Sequence, residues 1–323
     1  MNTTELEFEK PLIELERHLA QLNAFSETHP ELDLTDGITA LKENADTLTK
    51  QTFQNLSRWD KVRLARHPQR PQASFYIDAL LDEPVELHSD KLYGDDRALI
   101  GGFAWFDDQP VVYLAQQKGT NLQERQEMNF GYTHPEGYRK ARRLMQLANK
   151  FNRPLICLVD TPGAHFDLRS EEYGQAMAIA ENLAEMMTMH VPILVVIIGE
   201  GGSGGALAIA VGNRVLMMEY AVYCVAPPEA CSGIVWKDKG EHAPEATEGY
   251  KPTAPDLLKL GIIDQVVREP LGGAHRNAEA SVRNVKRAVR KHFTELMQMT
   301  PQQLIQQRYE RYRHIGLYGK DTA

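Results

Sequence analysis

Cysteine is nearly absent. The 323-residue chain has three, Cys157, Cys224 and Cys231, with no C-x-x-C pair among them. That excludes a zinc ribbon within the chain, and an odd number of thiols in apolar or small-residue settings reads as reduced thiols in a cytosol. Long apolar runs are also missing. The longest, Ile193 to Ile198, falls far short of the ~18 residues of a membrane-spanning helix. The first ten residues, MNTTELEFEK, are acidic and lack an apolar stretch, so no signal peptide is expected and a cytoplasmic location is. No HxH or HxxxH pair occurs, so no metal site is expected from His67, His134, His165, His190 or His242. A Walker-type phosphate loop and a dinucleotide fingerprint are both absent. Positive charge is short overall, 36 Lys and Arg against 44 Asp and Glu, a net of −8. It is also uneven: residues 1–60 hold 12 acids and 5 bases, and residues 276–323 hold 10 bases and 4 acids. The C-terminal bases fall at helical spacing among acids without an aromatic-rich motif, so nucleic-acid binding is not expected.

What is present is an ordinary soluble composition, 42% hydrophobic and 25% charged. Leu6, Phe8, Leu12, Leu15, Leu19 and Phe25 recur at helical spacing, as do Ile38, Leu41, Ala45, Leu48 and Phe53. They predict a helical arm over residues 1–60. Residues 98–106 and 110–115 read as a hairpin around Asp107-Asp108-Gln109. Pro135 opens a helix reaching about Lys150, since proline is at home in a first helical turn. A buried strand, 154–160, then runs into Thr161-Pro162-Gly163-Ala164. A helix over 171–190 leads to a second buried strand, 192–198, which runs into Gly199-Glu200-Gly201-Gly202-Ser203-Gly204-Gly205 and a helix over 206–211. Strands at 214–218, 221–225 and 262–267, a short helix at 254–260, and two tail helices divided at Thr300-Pro301 complete the pattern. Apolar strands alternating with helices predict a parallel-sheet α/β fold. The expected division is 1–60, a core over 61–275, and a helical extension over 276–323.

Two strand-to-helix junctions, Asp160–Ala164 and Gly199–Gly205, carry the chemical potential. The first amides of a helix are unpaired and sit at the positive end of its dipole, which suits an anion. Close strand–helix packing would also call for glycine there. Gly201-Gly202-Ser203-Gly204-Gly205 also satisfies G-x-S-x-G, so Ser203 is a candidate hydrolase nucleophile. It would need an acid such as Asp256 or Asp264 and a base such as His275 or His292. Asp160 is expected to accept loop N–H bonds. The Met186-Met187-Met189 cluster reads as core. Lys118 and Arg139 read as solvated surface or as contacts to CoA phosphates.

Several long strings then coincide in order: Leu64-Ala65-Arg66-His67-Pro68-Gln69-Arg70-Pro71, Pro135 to Ala141, Asp160 to Ala164, Gly199 to Ile209, and Glu269-Pro270-Leu271-Gly272-Gly273-Ala274-His275-Arg276-Asn277. Over nearly its whole length the chain resembles the alpha subunits of bacterial acetyl-CoA carboxylase carboxyltransferases. The resemblance implies a crotonase-like superhelix of β-β-α units with helical extensions at both ends. It implies an α2β2 complex with a beta subunit that bears the zinc ribbon, a biotin carrier protein, and a separate biotin carboxylase that uses ATP. The implied reaction moves the carboxyl group of carboxybiotin to acetyl-CoA, giving malonyl-CoA for fatty acid synthesis. By the same resemblance Gly204 and Gly205 offer backbone N–H groups to the biotin oxygen, with Gly163 and Ala164 as the helping loop. Gly201, Gly202, Ser203, Lys118, Gly119 and His165 are expected along the substrates.

The chain departs from that pattern at His165-Phe166-Asp167, Thr120, Tyr173, Pro227, Ala230 and the stretch 239–251. These departures leave open a paralogue serving a secondary pathway or inhibitor tolerance, and a non-catalytic structural partner.

Overall fold

The computed structural model describes residues 6–316. The first five residues and the last seven, which fall in the expected N-terminal arm and C-terminal extension, lie outside it. The expected helical arm consists of helices Lys10–Thr28 and Thr35–Gln54. Its apolar stripes meet Leu64 and Tyr220, so that Leu12, Phe53, Leu64 and Tyr220 form a small cluster of their own, flanked by Leu6, Phe8, Leu48 and Leu56.

Eight strands form one mixed sheet: β1 (Asp82–Glu86), β2 (Leu99–Phe106), β3 (Gln109–Gln116), β4 (Leu155–Thr161), β5 (Ile193–Gly202), β6 (Arg214–Met218), β7 (Val222–Cys224) and β8 (Gln265–Val267). The order is β1-β2-β3-β4-β5-β6-β8, with β7 paired to the far end of β5. The first two pairings are antiparallel and the rest parallel. The β2–β3 hairpin turns at Asp107 and Asp108, both at positive φ (46° and 61°), as a two-residue turn matched to strand twist requires. β4 and β5 are buried along their whole length, which explains their unbroken apolar composition. Helix Pro135–Lys150 has the predicted bounds and buries Tyr138, Ala141, Leu144, Met145 and Ala148 against the sheet. Helix Ala278–Leu296 also enters the main core through Val282, Val285, Val289 and Phe293. Met186 and Met189 are fully buried core residues, as expected.

Two local expectations are corrected, and four short helices are added. The helix expected over 171–190 is two helices, Leu168–Glu172 and Gln175–Thr188, separated at Gly174 in the left-handed region (φ 76°). The glycine run was expected to be loop, but β5 continues to Gly202 and the helix begins at once, Ser203–Leu207. Short helices at Arg58–Ala65, Ala73–Leu80, Pro228–Val235 and Ala243–Tyr250 fill stretches that carry little periodicity. No described helix is long and apolar enough to cross a membrane.

Candidate functional site

The two junctions lie against each other. Thr161 pairs with Gly201 across β4 and β5. A Cβ at Gly202 would stand 2.1 Å from the Pro162 carbonyl oxygen, and one at Gly205 would stand 2.4 Å from the Ala164 nitrogen. Those two glycines are therefore demanded by close approach of one junction to the other. Gly204 differs, because a Cβ there would meet only Ile179, at 3.7 Å. Gln116 Nε2 donates to the Gly205 carbonyl at 2.8 Å and fixes the start of helix 203–207. No side chain caps that start, so its first amides lack partners within the helix. At the other junction the Gly163 N–H is turned inward to Thr161 Oγ1, at 3.1 Å.

Three cavities surround these junctions. A cleft of about 630 Å³ is lined by Gly163, Ala164, Phe166, Ser203, Arg66 and Glu229, among others. A second space, about 330 Å³ and predominantly apolar, is lined by Ser203, Gly204, Leu207, Tyr223, Val225 and Leu257, with others beside them. A small polar cavity of about 150 Å³ takes in Lys118, Gly119, Arg66, Arg70, Arg125 and Glu200. The structure thus brings Ser203 to the first two cavities, Gly204 to the second, and Lys118 with Gly119 to the third. Gly201 packs on the Tyr223 ring, Gly205 on the 163–164 loop, and His165 turns to a separate group beyond that loop.

Between the first and third cavities stands a charged wall that the sequence did not reveal. Arg66 Nε donates to Glu200 at 2.6 Å and its Nη1 to Glu229 at 2.6 Å. Lys118 Nζ lies 2.8 Å from Glu200 and 2.6 Å from Asp160. Lys118 is therefore half-buried and held in ion pairs rather than solvated. Arg139 is likewise engaged, with Asp90 and the Tyr173 carbonyl. Burial acts to raise the Glu200 pKa, but Lys118 and Arg66 overrule it and hold the group at about 2. Burial likewise opposes the charge of Lys118, and Asp160 and Glu200 outweigh it, raising its pKa. Asp160, expected to accept loop N–H bonds, instead accepts a strand amide of the other junction: the Glu200 N–H of β5 donates to it at 2.9 Å. The signals available in sequence were that Arg66 lies in a matched string and that Lys118 was already a candidate. What sequence could not show is that positions 66, 118, 160, 200 and 229 meet.

Ser203 has the positive φ (55°) that a nucleophile elbow shows. Its required partners are elsewhere. Asp256 pairs with Arg58 at 2.8 Å, and Asp264 with Arg311. His275 bonds Glu9 at 2.9 Å, and His292 bonds Gln265 at 2.7 Å. A triad at Ser203 is not assembled, which removes the hydrolase reading.

Some departing residues have local structural duties. Asp167 caps helix 168–172 through the Ser170 amide at 2.7 Å, and Thr120 bonds Glu124 through both its amide and hydroxyl. Although no ligand spacing exists in sequence, the fold gathers two groups of three potential metal ligands among the described residues: Glu9, His67 and His275, and His134, His165 and Asp167.

Comparison with known proteins supplies the rest. Residues 5–316 match the family model described as acetyl co-enzyme A carboxylase carboxyltransferase-like. The acetyl-coenzyme A carboxylase carboxyl transferase subunit alpha of Geobacter metallireducens is 47% identical over 98% of both chains. The same subunit of Listeria monocytogenes is 45% identical over 97% of this chain and 98% of its own, and that of Synechococcus elongatus 46% over 97% and 95%. Among solved structures, a Pseudomonas malonate decarboxylase hetero-tetramer in complex with coenzyme A matches 75% of this chain and 95% of its own, at TM-score 0.58 and 16% identity. The transcarboxylase 12S core matches 68% of this chain at TM-score 0.53 and 21% identity, and this chain spans only 41% of it. These likenesses show the crotonase-like α/β fold, and the subunit naming and hetero-complexes indicate a partner subunit. With a family match across the described chain and near-half identity over its full length, this chain belongs to the acetyl-CoA carboxylase carboxyltransferase family, as an alpha subunit.

Proposed function

We propose that the chain forms the biotin side of an acetyl-CoA carboxylase carboxyltransferase. It would work with a zinc-ribbon beta subunit in an α2β2 assembly, with carboxybiotin delivered on a biotin carrier protein and ATP used by a separate biotin carboxylase. The carboxyl group passes to acetyl-CoA and gives malonyl-CoA. The observation that carries this reading is the Gly204 junction, where uncapped first-turn amides border an apolar cavity of about 330 Å³. A bicyclic ring with a polar ureido edge suits those surroundings: amide donors for the oxygen, and Leu207, Val225 and Leu257 for the apolar atoms. Carboxybiotin, when bound, supplies the activated carboxyl group. The chain's own part is to hold an oxygen that gains negative charge, and preorganised N–H groups do so without reorienting. The wall of Arg66, Glu200 and Lys118 holds the end of β5, from which the helix carrying those amides starts. Enolate stabilisation and most CoA contacts are assigned to the beta subunit.

The test is a pair of variants in the assembled complex. Gly204→Val should leave assembly intact and cut turnover by roughly 10²–10³, the usual loss when one such donor is obstructed. Ser203→Ala should keep most activity. Loss of turnover in Ser203→Ala with full activity in Gly204→Val would overturn the assignment.

A further inference from the structure

The C-terminal end of the described chain returns to the Gly204 cavity. In sequence, residues 276–323 read as an extension beyond the core, yet Ile315 lines the same apolar space as Gly204, Leu207 and Leu257. We propose that Ile315 is a specificity-determining residue, the wall that limits the bulk of the ring bound at Gly204. This rests on the biotin-side reading above and adds to it a residue from outside both glycine junctions.

Helix Pro301–Arg313 carries Ile315 to the cavity and is anchored to two of the elements that line it. Arg311 Nη2 donates to the Ile262 carbonyl at 2.6 Å and its Nη1 pairs with Asp264; Ile262 is itself a lining residue. The Tyr312 hydroxyl donates to the Ala210 carbonyl at 3.1 Å, and the Ala210 amide donates to the Leu207 carbonyl at 3.0 Å. Leu207 closes the helix that opens at Ser203 and Gly204. Farther back, the buried Arg308 guanidinium donates to the carbonyls of Met186 and Met189, the latter at 2.9 Å, where helix Gln175–Thr188 ends. A cation suits the unpaired carbonyls at the negative end of a helix dipole. That same helix carries Ile179, which a Cβ at Gly204 would meet. One helix end thus ties together three elements around Gly204.

The last turn ends at His314, whose amide donates to the Glu310 carbonyl at 3.0 Å, and Ile315 is the next residue. It is half-buried, while His314 and Gly316 on either side are exposed, so of the three the isoleucine is the one turned toward the protein. Its aliphatic side chain can neither move a proton nor donate a hydrogen bond. What it offers is apolar contact and a limit on volume, in a space of about 330 Å³. The uncapped amides at the start of helix 203–207 do not depend on it. A change at Ile315 therefore alters how well the ring is held in ground and transition state alike, which moves KM and spares kcat.

The experiment uses the assembled complex in the reverse direction, in which malonyl-CoA gives its carboxyl group to free biotin and leaves acetyl-CoA. Ile315→Trp should raise the KM for biotin by about 10–200-fold, the range for a misfit in an apolar pocket, with little change in kcat. Ile315→Ala should raise it by about four-fold for each methylene taken out of contact, and serves if Ile315→Trp fails to assemble. Ile315→Leu keeps the volume and should stay near the native KM. A second readout needs no turnover. In isoleucine-methyl spectra of the complex, free biotin should shift the Ile315 resonance, assigned by its loss in Ile315→Leu, and leave that of Ile38 on the arm in place. Unchanged KM in Ile315→Trp and Ile315→Ala, with an unshifted methyl, would overturn the role of Ile315. The biotin-side reading would then still stand if Gly204→Val cuts turnover, and would fall as well if Gly204→Val is fully active. A parallel loss of kcat in Ile315→Ala and Ile315→Leu would show a purely structural role and overturn the assignment too.

Discussion

A methyl group added at Gly205 would collide with the Ala164 nitrogen and the Gly163 carbonyl carbon, whereas one added at Gly204 would make an ordinary contact with Ile179. Two adjacent glycines therefore answer to different demands, one to packing and one to access. Gly205→Ala should lower stability by about 1–3 kcal/mol through overpacking, and Gly204→Ala should leave it within about 0.5 kcal/mol, both read from denaturant midpoints. Glu200 supplies a second residue-scale test. Its carboxyl is held at about 2, below an ordinary 4.5, by Lys118 and Arg66 against the effect of burial. A depressed carboxylate stabilises the folded chain above its unfolded pKa, and that contribution disappears as pH falls from about 4.5 toward 2. Glu200→Gln should lose this part of the acid sensitivity. It should also destabilise by about 1–3 kcal/mol near neutrality, because two half-buried cations lose a shared partner while each keeps a second carboxylate, Glu229 for Arg66 and Asp160 for Lys118. Stability curves from pH 2 to 7 for both proteins would decide; parallel curves would refute the assignment.

Among the elements, the legible ones announced themselves by chemistry at their ends or by unbroken composition. Helix 135–150 is bounded by a first-turn proline, and its apolar face repeats cleanly; β4 and β5 are solid apolar runs. β1 was invisible because DEPVE is exposed along its length and has no apolar face to betray it. The glycine run was misjudged for another reason. Glycine signals a turn in local pattern, but here it lets β5 pass close to the neighbouring junction, and that neighbour is 40 residues away in sequence. The charged wall escaped for the same cause, since none of its members is near another in the chain. The N-terminal arm gives the element-scale prediction. Its cluster is small and separate from the main core, with Leu12 fully buried at its centre. Leu12→Ala should cost about 2–5 kcal/mol of arm docking. Hydrogen exchange should then rise over residues 10–54 while β4 and β5 remain protected; uniform loss of protection would show that arm and sheet are one unit.

For the whole molecule, two large apolar side chains of the cleft are left in solvent: Phe166 is 83% exposed and Val225 75%. Large apolar side chains exposed at a binding cleft suit cover by a partner. On the proposed function, the isolated chain should bind an apolar fluorescent dye and transfer no carboxyl group. Added beta subunit should suppress the dye signal and restore turnover. Full activity of the chain alone would refute the divided site.

The bond between Glu9 and His275 joins residues 266 positions apart. During synthesis the first of them leaves the ribosome long before the second exists. At about 5–20 residues per second, the arm waits roughly 13–50 s for the histidine that anchors it. For most of that interval its apolar stripes also lack Tyr220, the last residue of their cluster to be made. A slowly translated segment inserted between residues 60 and 270 would lengthen that wait.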